Sequence, residues 1–412
     1  MNPPAPMAPP IDARLVVVMV GLPARGKTYT ARKLARYLGW LGYRARVFNL
    51  GSYRRERVGP NMPAAFFDPD NLEADAIRTD LAIRALDDLL GWLRDGGGQV
   101  GIFDATNSTI ERRQRVRHQC ERAGIAVLFV ELICDEPWVI EANIRETKVT
   151  SPDYQHLTPD QAADDFRSRI ANYERAYQPL GSDEASYVKV INGGRKIVVN
   201  RIEGYVPARI VQFLVNLHTV PRPIWLTRHG ESLDNVRGVI GGDSSLSDRG
   251  RAYAQRLSSF VDEHGPPVLH VWTSTLKRGI ETAWALGRSF LPIKALDEID
   301  AGICDNMTYG EIEAQMPEEF AARKADKLHY RYPRGESYED VIRRLDPVLA
   351  EIERHREPVL VIGHQAVIRC LYAYLADVPR DQVPFVGVPL HTLIELTPKA
   401  YTVEEKRYPL GP

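Results

Sequence analysis

A chain of 412 residues is too long for one ordinary hydrophobic core, so two domains, or three, are expected. With 44% hydrophobic and 26% charged residues and a formal net charge of −1, it has the make-up of a globular protein and lacks the basic excess that a general binder of nucleic acid or membrane surfaces needs. No apolar run approaches the ~20 residues of a membrane span, and four cysteines set far apart (Cys120, Cys134, Cys304, Cys370) read as buried thiols of a reducing compartment.

The chain opens on proline-rich residues without a basic or apolar leader pattern, so residues 1–12 are expected to be a disordered tail and the location cytoplasmic. Leu15–Val20 is a continuous apolar run of the kind a buried parallel strand shows. A glycine-containing turn follows, then a helical pattern from Lys27 to about Leu38. Further strands are expected at Arg46–Leu50, Val100–Phe103, Ala126–Leu132 and Tyr187–Ile191. Helices are expected between and after them, at Leu72–Arg94, Ser108–Arg122, Pro137–Glu146, Pro159–Tyr177 and Pro207–Leu217. This alternation predicts an α/β domain over 13–220 with a parallel sheet covered on both faces. His218–Pro223, with two prolines in its last three residues, is the best linker candidate. The pattern restarts over 221–412, with strands at Ile224–Thr227, Val268–Trp272, Pro358–Ile362 and Thr392–Leu396, and a helix opened by the capping-box-like Ser337-x-x-Asp340.

Gly21-Leu22-Pro23-Ala24-Arg25-Gly26-Lys27-Thr28 fits the phosphate-loop pattern G-x-x-x-x-G-K-[ST]. Its glycines let backbone N–H groups turn toward phosphate oxygens and the next helix adds its positive end. Lys27 would reach the β- and γ-phosphates, and the Thr28 hydroxyl would ligate Mg2+. Asp104, at a strand end, is placed to meet Mg2+ or a water, to accept a proton from an attacking hydroxyl, or simply to cap the next helix. Arg54, Arg55, Arg78, Arg112, Arg113 and Arg169 could hold a second phosphate, though Arg112, Arg113, Arg115 and Arg117 could instead face a polynucleotide backbone.

In the second half, Arg228-His229-Gly230-Glu231 follows a strand, and a second strand ends in Gly363-His364. A neutral imidazole is a good phosphoryl acceptor, and two strand-end histidines could face one phosphate from two sides. Arg228 and Arg278 supply cations, and Glu298 is a candidate proton donor to a leaving alkoxide. A zinc site from His229 and His364 is the rival reading, disfavoured by the two nearby arginines.

Taken together, GLPARGKTY (Gly21–Tyr29), YRRE (Tyr53–Glu56), FDATN (Phe103–Asn107), SPDY (Ser151–Tyr154), RIANYE (Arg169–Glu174), TRHGES (Thr227–Ser232), EIDAG (Glu298–Gly302), YRYPRGESYED (Tyr330–Asp340) and GHQAVIRC (Gly363–Cys370) resemble, in order, the bifunctional 6-phosphofructo-2-kinase/fructose-2,6-bisphosphatase family. The resemblance implies an N-terminal P-loop kinase-type domain, a C-terminal histidine-phosphatase (phosphoglycerate-mutase-like) α/β domain, and a homodimer acting on small molecules, with no nucleic-acid or membrane partner. By the same resemblance ATP and Mg2+ are the cofactors. ATP would lie on Gly21, Ala24, Arg25, Gly26, Lys27, Thr28 and Tyr29 with Asn143 and Lys148, and Mg2+ on Thr28 and Asp104. Asp104, Lys27 and Lys148 would be catalytic, and Arg55, Arg78, Thr106, Arg112, Lys148, Arg169 and Tyr173 would hold fructose 6-phosphate. In the second half His229 is implied as nucleophile, Glu298 as acid then base, and His364, Arg228 and Arg278 as the phosphoryl clamp. Asn235 and Gly241 would lie near the phosphate, and Tyr309, Arg323, Lys327, Arg331, Tyr338, Gln365 and Arg369 would hold the rest of fructose 2,6-bisphosphate.

Overall fold

Every residue of Leu15–Val20 (β1) is buried, which only a strand covered on both faces can be. In the computed structural model of the chain, which describes residues 14–148, 152–218, 221–399 and 402–411, β1 lies inside a six-stranded sheet. The expected tail at 1–12 lies outside the described residues. The other strands are Ala45–Asn49 (β2), Val100–Asp104 (β3), Ala126–Ile133 (β4), Tyr187–Ile191 (β5) and Lys196–Asn200 (β6), in the order β2-β3-β1-β4-β5-β6. All neighbours are parallel except β5 and β6.

The expected parallel sheet is present, and it gains an antiparallel edge strand, β6. Its hairpin turns through Asn192, Gly193 and Gly194, all at positive φ, a signal that Asn-Gly-Gly carries, but β6 is a half-exposed edge whose apolar stretch is only Ile197–Val199. The helix Leu50–Val58 was also unforeseen, because its charged sequence has almost no apolar face. Conversely the helix expected over 137–146 stops at Asn143 and passes into a π-turn, Ile144–Lys148. Val16, Val18, Val20 and Phe103 pack on Leu86, Leu89 and Leu93 of the helix Leu72–Arg94, and this core fixes the strand ends.

The chain divides into two compact units, one up to Thr219 and one from Val220. The second holds another six-stranded sheet built from Ile224–Arg228 (β7), His270–Thr273 (β8), Phe290–Pro292 (β9), Val359–Gly363 (β10), Thr392–Pro398 (β11) and Val403–Pro409 (β12). The order is β12-β11-β7-β10-β8-β9, with β7, β10, β8 and β9 parallel and β11 and β12 antiparallel. The short β9 and the largely exposed β12 left no periodic trace to read. Ser337 does cap the helix Tyr338–Arg354 reciprocally with Asp340. Between β9 and β10 the chain makes an excursion that includes the helices Tyr309–Gln315 and Pro317–Ala325.

Candidate active sites

In the first unit β1 runs straight into the glycine turn. Gly21 sits at φ 131, where an added Cβ would lie 2.5 Å from the Leu132 carbonyl oxygen, so only glycine fits. Ala24 and Gly26 are also left-handed, at φ 57 and 83, and Gly26 opens the helix Lys27–Leu41 without a side-chain cap. Uncapped N–H groups and a left-handed turn make an anion cradle. Lys27 is buried and its Nζ donates to the Leu22 carbonyl at 2.5 Å. The Asn143 side-chain amide donates to the Ala24 carbonyl at 3.0 Å, which brings a residue 119 positions away onto the loop. Lys148 closes the π-turn, and its side chain lies outside the described residues.

Asp104 ends β3, buried, and Nδ2 of Asn49 donates to its Oδ2 at 2.5 Å. Sequence reading passed over Asn49, although an Asn just ahead of a helix is a capping signal. Thr106 accepts the Gly21 N–H through its backbone carbonyl at 3.0 Å, so it is tied to the cradle. Around this edge the arginines sort into two kinds. Arg113 is fully buried and used up: both nitrogens of its fork meet Glu184, at 2.7 and 2.6 Å, and it donates to the carbonyls of Asn107 and Gln178. Arg115 and Arg117 pair with Glu111 and Glu121 one turn away on the exposed face. Three of the four arginines of this row are thus engaged by carboxylates.

The other arginines converge. Arg78 donates to the carbonyls of Phe66 and Asp68, and Arg112 donates to the Arg78 carbonyl at 3.3 Å. Burial, with Arg78 close by, lowers the Arg112 pKa, and no carboxylate bridges it among the described residues. The Arg169 guanidinium lies 3.6 Å from the centre of the Phe67 ring, on which Tyr173 also packs. Asp153 gathers Arg54 at 2.6 Å and Arg55 at 3.6 Å. Arg54 is among the arginines expected to hold a second phosphate, whereas Phe67 and Asp153 carry no such signal in the sequence.

In the second unit His229 directly follows β7 and is 3% exposed. Its Nδ1 lies 2.6 Å from the Gly230 carbonyl oxygen, which can only accept, so Nδ1 carries the proton and Nε2 the lone pair. Arg278 Nε is 3.2 Å from that Nε2. Burial first, then Arg278 and Arg228, hold the His229 pKa well below the usual imidazole range. The His364 ring, wholly buried, has its centre 4.8 Å from that of His229, and its Nε2 meets the Ser274 hydroxyl at 2.8 Å. Among the described residues, Nδ1 of His364 and Nε of Arg228 are buried without a partner. Two orphaned polar atoms beside a neutral imidazole are what a site built around an absent anion leaves behind.

Glu298 accepts from the backbone N–H groups of Gln365 and Ala366, at 3.0 and 3.1 Å, at the start of the helix Gln365–Leu375 that follows His364. Arg344, missed in the sequence, donates to the backbone carbonyls of Asp297 and Glu298 and so fixes that segment. A cavity of about 360 Å3 opens here, lined by Arg228, His229, Arg278 and Glu298 on one side. Asn235, Gly241, Tyr309, Arg323, Lys327, Tyr338, Gln365 and Arg369 line the rest, together with Tyr330 and Tyr332. Arg331 is not among the lining residues; it is largely exposed and pairs with Asp340 at 2.6 Å. Among the described residues no three His, Cys, Asp or Glu side chains group as metal ligands, which leaves the zinc reading without a third ligand.

The family model described as 6-phosphofructo-2-kinase matches residues 7–221, and that of the histidine phosphatase superfamily (branch 1) matches 224–409. A 6-phosphofructo-2-kinase/fructose-2,6-bisphosphatase 3 of Rattus norvegicus is 50% identical over 390 residues, covering 94% of this chain and 70% of that protein. The chain belongs to the 6-phosphofructo-2-kinase/fructose-2,6-bisphosphatase family. Another member of this family, from Arabidopsis thaliana, is 52% identical over 413 residues, 98% of this chain but 55% of that protein, so the chain spans little more than half of its plant relative. A Gallus gallus member is 50% identical over 392 residues, 94% of this chain and 83% of its own length. Among the described residues no helix is long and apolar enough to cross a membrane.

Proposed function

We propose that the chain is a bifunctional enzyme: it moves the γ-phosphoryl group of MgATP onto the 2-hydroxyl of fructose 6-phosphate at the first site and hydrolyses that same 2-phosphate at the second. The observation that carries this reading is one chain holding both a phosphate cradle at Gly21–Thr28 and a neutral, buried His229 flanked by Arg228 and Arg278.

ATP and Mg2+ suit the residues of the first site: left-handed backbone at Ala24 and Gly26, an ammonium at Lys27, and the oxygen ligands Thr28 and Asp104 for a cation that otherwise keeps waters and phosphate oxygens. Bound Mg2+ would neutralise charge on the phosphates. Asn143 braces the loop, while Arg55, Arg78, Arg112, Arg169 and Tyr173 orient the sugar phosphate, and Lys27 with Lys148 offsets the negative charge. The 2-oxygen of fructose 6-phosphate bonds to the γ-phosphorus, the bond to the bridging oxygen breaks, and the hydroxyl proton passes to Asp104.

At the second site Nε2 of His229 attacks the 2-phosphoryl phosphorus. The P–O bond to the sugar breaks as Glu298 protonates the leaving oxygen, and Arg228, Arg278 and His364 hold the transferring oxygens. Glu298 then takes a proton from water, whose oxygen displaces His229 from phosphorus. Tyr309, Arg323, Lys327, Tyr338, Gln365 and Arg369 position the sugar. The four free thiols support a cytoplasmic location, and family membership supports a homodimer.

The test measures both rates on one preparation, with fructose 6-phosphate and MgATP for synthesis and fructose 2,6-bisphosphate for hydrolysis. Lys27→Ala should abolish synthesis and spare hydrolysis, and His229→Ala the reverse. Loss of both activities in either folded variant would sink the two-site reading.

A further inference from the structure

Asn49 and Asp104 are register partners at the carboxyl ends of the adjacent parallel strands β2 and β3, so their side chains share one face of the sheet. One side-chain amide serves two masters there. Its Nδ2 donates to Oδ2 of Asp104 at 2.5 Å, and its Oδ1 accepts the Ser52 N–H at 3.0 Å, capping the helix Leu50–Val58. The amide cannot be turned over: a backbone N–H only donates and a carboxylate only accepts, so each end of Asn49 has one permitted partner. No other hydrogen bond reaches the Asp104 carboxylate among the described residues. The capped helix carries Arg54 and Arg55, both joined to Asp153.

We infer that Asn49 is a positioning residue for the kinase site: it fixes the rotation of the Asp104 carboxylate relative to the helix that presents Arg55, leaving Oδ1 of Asp104 for the reaction. The inference rests on the reading of Asp104 as the residue that acts on the sugar hydroxyl. It assigns a function to a residue that neither touches substrate in that reading nor stands in any motif used to recognise the family. Burial alone does not account for the arrangement, since a helix cap is satisfied as well by Ser or Asp.

Three variants separate the possibilities, each assayed for kinase activity in the full chain, with its thermal unfolding curve as the measure that the first unit stays folded. Asn49→Ser keeps the cap and loses only the bond to Asp104. Its kinase kcat should fall about 10- to 100-fold, with KM for fructose 6-phosphate and ATP within about 3-fold of the parent. Asn49→Asp keeps the cap too but sets a second carboxylate against Asp104. Its kinase kcat should fall further, because a second carboxylate cannot donate to Asp104 and repels it. An unchanged kcat in Asn49→Ser, or a raised KM at unchanged kcat, overturns the inference and leaves Asn49 a helix cap. Asp104→Asn is the control: full kinase activity there overturns the underlying reading of Asp104 and this inference with it, whereas an inactive Asp104→Asn beside a fully active Asn49→Ser overturns the inference alone.

Discussion

Nε of Arg278 lies 3.2 Å from Nε2 of His229, so a fixed cation guards the atom that, in the proposed reaction, must stay unprotonated to attack phosphorus. Together with burial and Arg228 it depresses the His229 pKa, and the imidazole stays a nucleophile well into acid. Removing the cation relaxes that depression. Arg278→Ala should therefore move the acid limb of the phosphatase kcat/KM profile to higher pH, besides lowering the rate at its plateau. An acid limb that stays put while the plateau drops would mean that Arg278 acts on the phosphate and not on the histidine.

Lys327 offers the opposite limb. Burial, then Arg369 and Arg323, push its ammonium down from the ordinary lysine range to about 8. It is charged below that pH and attracts an anionic substrate, and it becomes neutral above. The phosphatase kcat/KM should decline as pH rises through about 8. Lys327→Arg should flatten that decline, since guanidinium stays charged, and Lys327→Met should be weak at every pH.

Arg112 and Arg113 are adjacent in sequence and opposite in duty. Arg113→Met strands Glu184 and three carbonyls, and should cost about 3–5 kcal/mol of stability, seen as earlier thermal loss of kinase activity. Arg112→Met should leave that inactivation curve in place and raise KM for fructose 6-phosphate by tenfold or more. Matching thermal losses in the two variants would deny the distinction.

Gly21→Ala drives a methyl to 2.5 Å from the Leu132 carbonyl oxygen at a φ of +131, so it should destroy the cradle and with it ATP-dependent synthesis. Gly124→Ala, also left-handed at φ +67 but with open space around it, should cost only about 1 kcal/mol and keep both activities. Equal effects would show that backbone conformation, and not the close approach to β4, governs the loop.

What could be read from the residues, and what could not, follows from how local each feature is. The glycine loop needs its residues at fixed spacing, so a single stretch displays it. His229 and His364 were legible as strand-end histidines, because the runs Ile224–Arg228 and Val359–Gly363 are apolar enough to mark themselves. Spacing does not separate Arg112 from Arg113, which only the family resemblance tells apart, since neighbouring positions on a helix point about 100° apart and the surrounding fold decides which one faces inward. Arg331 belongs to a recognisable motif yet sits against Asp340, outside the cavity lining. Asn49, Arg344 and Ser274 work through other side chains or backbone, and such indirect duties leave no spacing rule behind.

The second unit keeps two jobs on two kinds of architecture. The proposed nucleophile His229, with Arg228, His364 and Arg278, comes from the ends of β7 and β10 and from the helix Lys277–Trp284 after β8. Tyr309, Arg323, Lys327 and Tyr330 come instead from the excursion between β9 and β10. The substrate contacts carried by residues 309–330 thus hang on one segment, which could be rewritten for a new phosphate ester while His229, Arg228, Arg278 and, ahead of that segment, Glu298 kept their places.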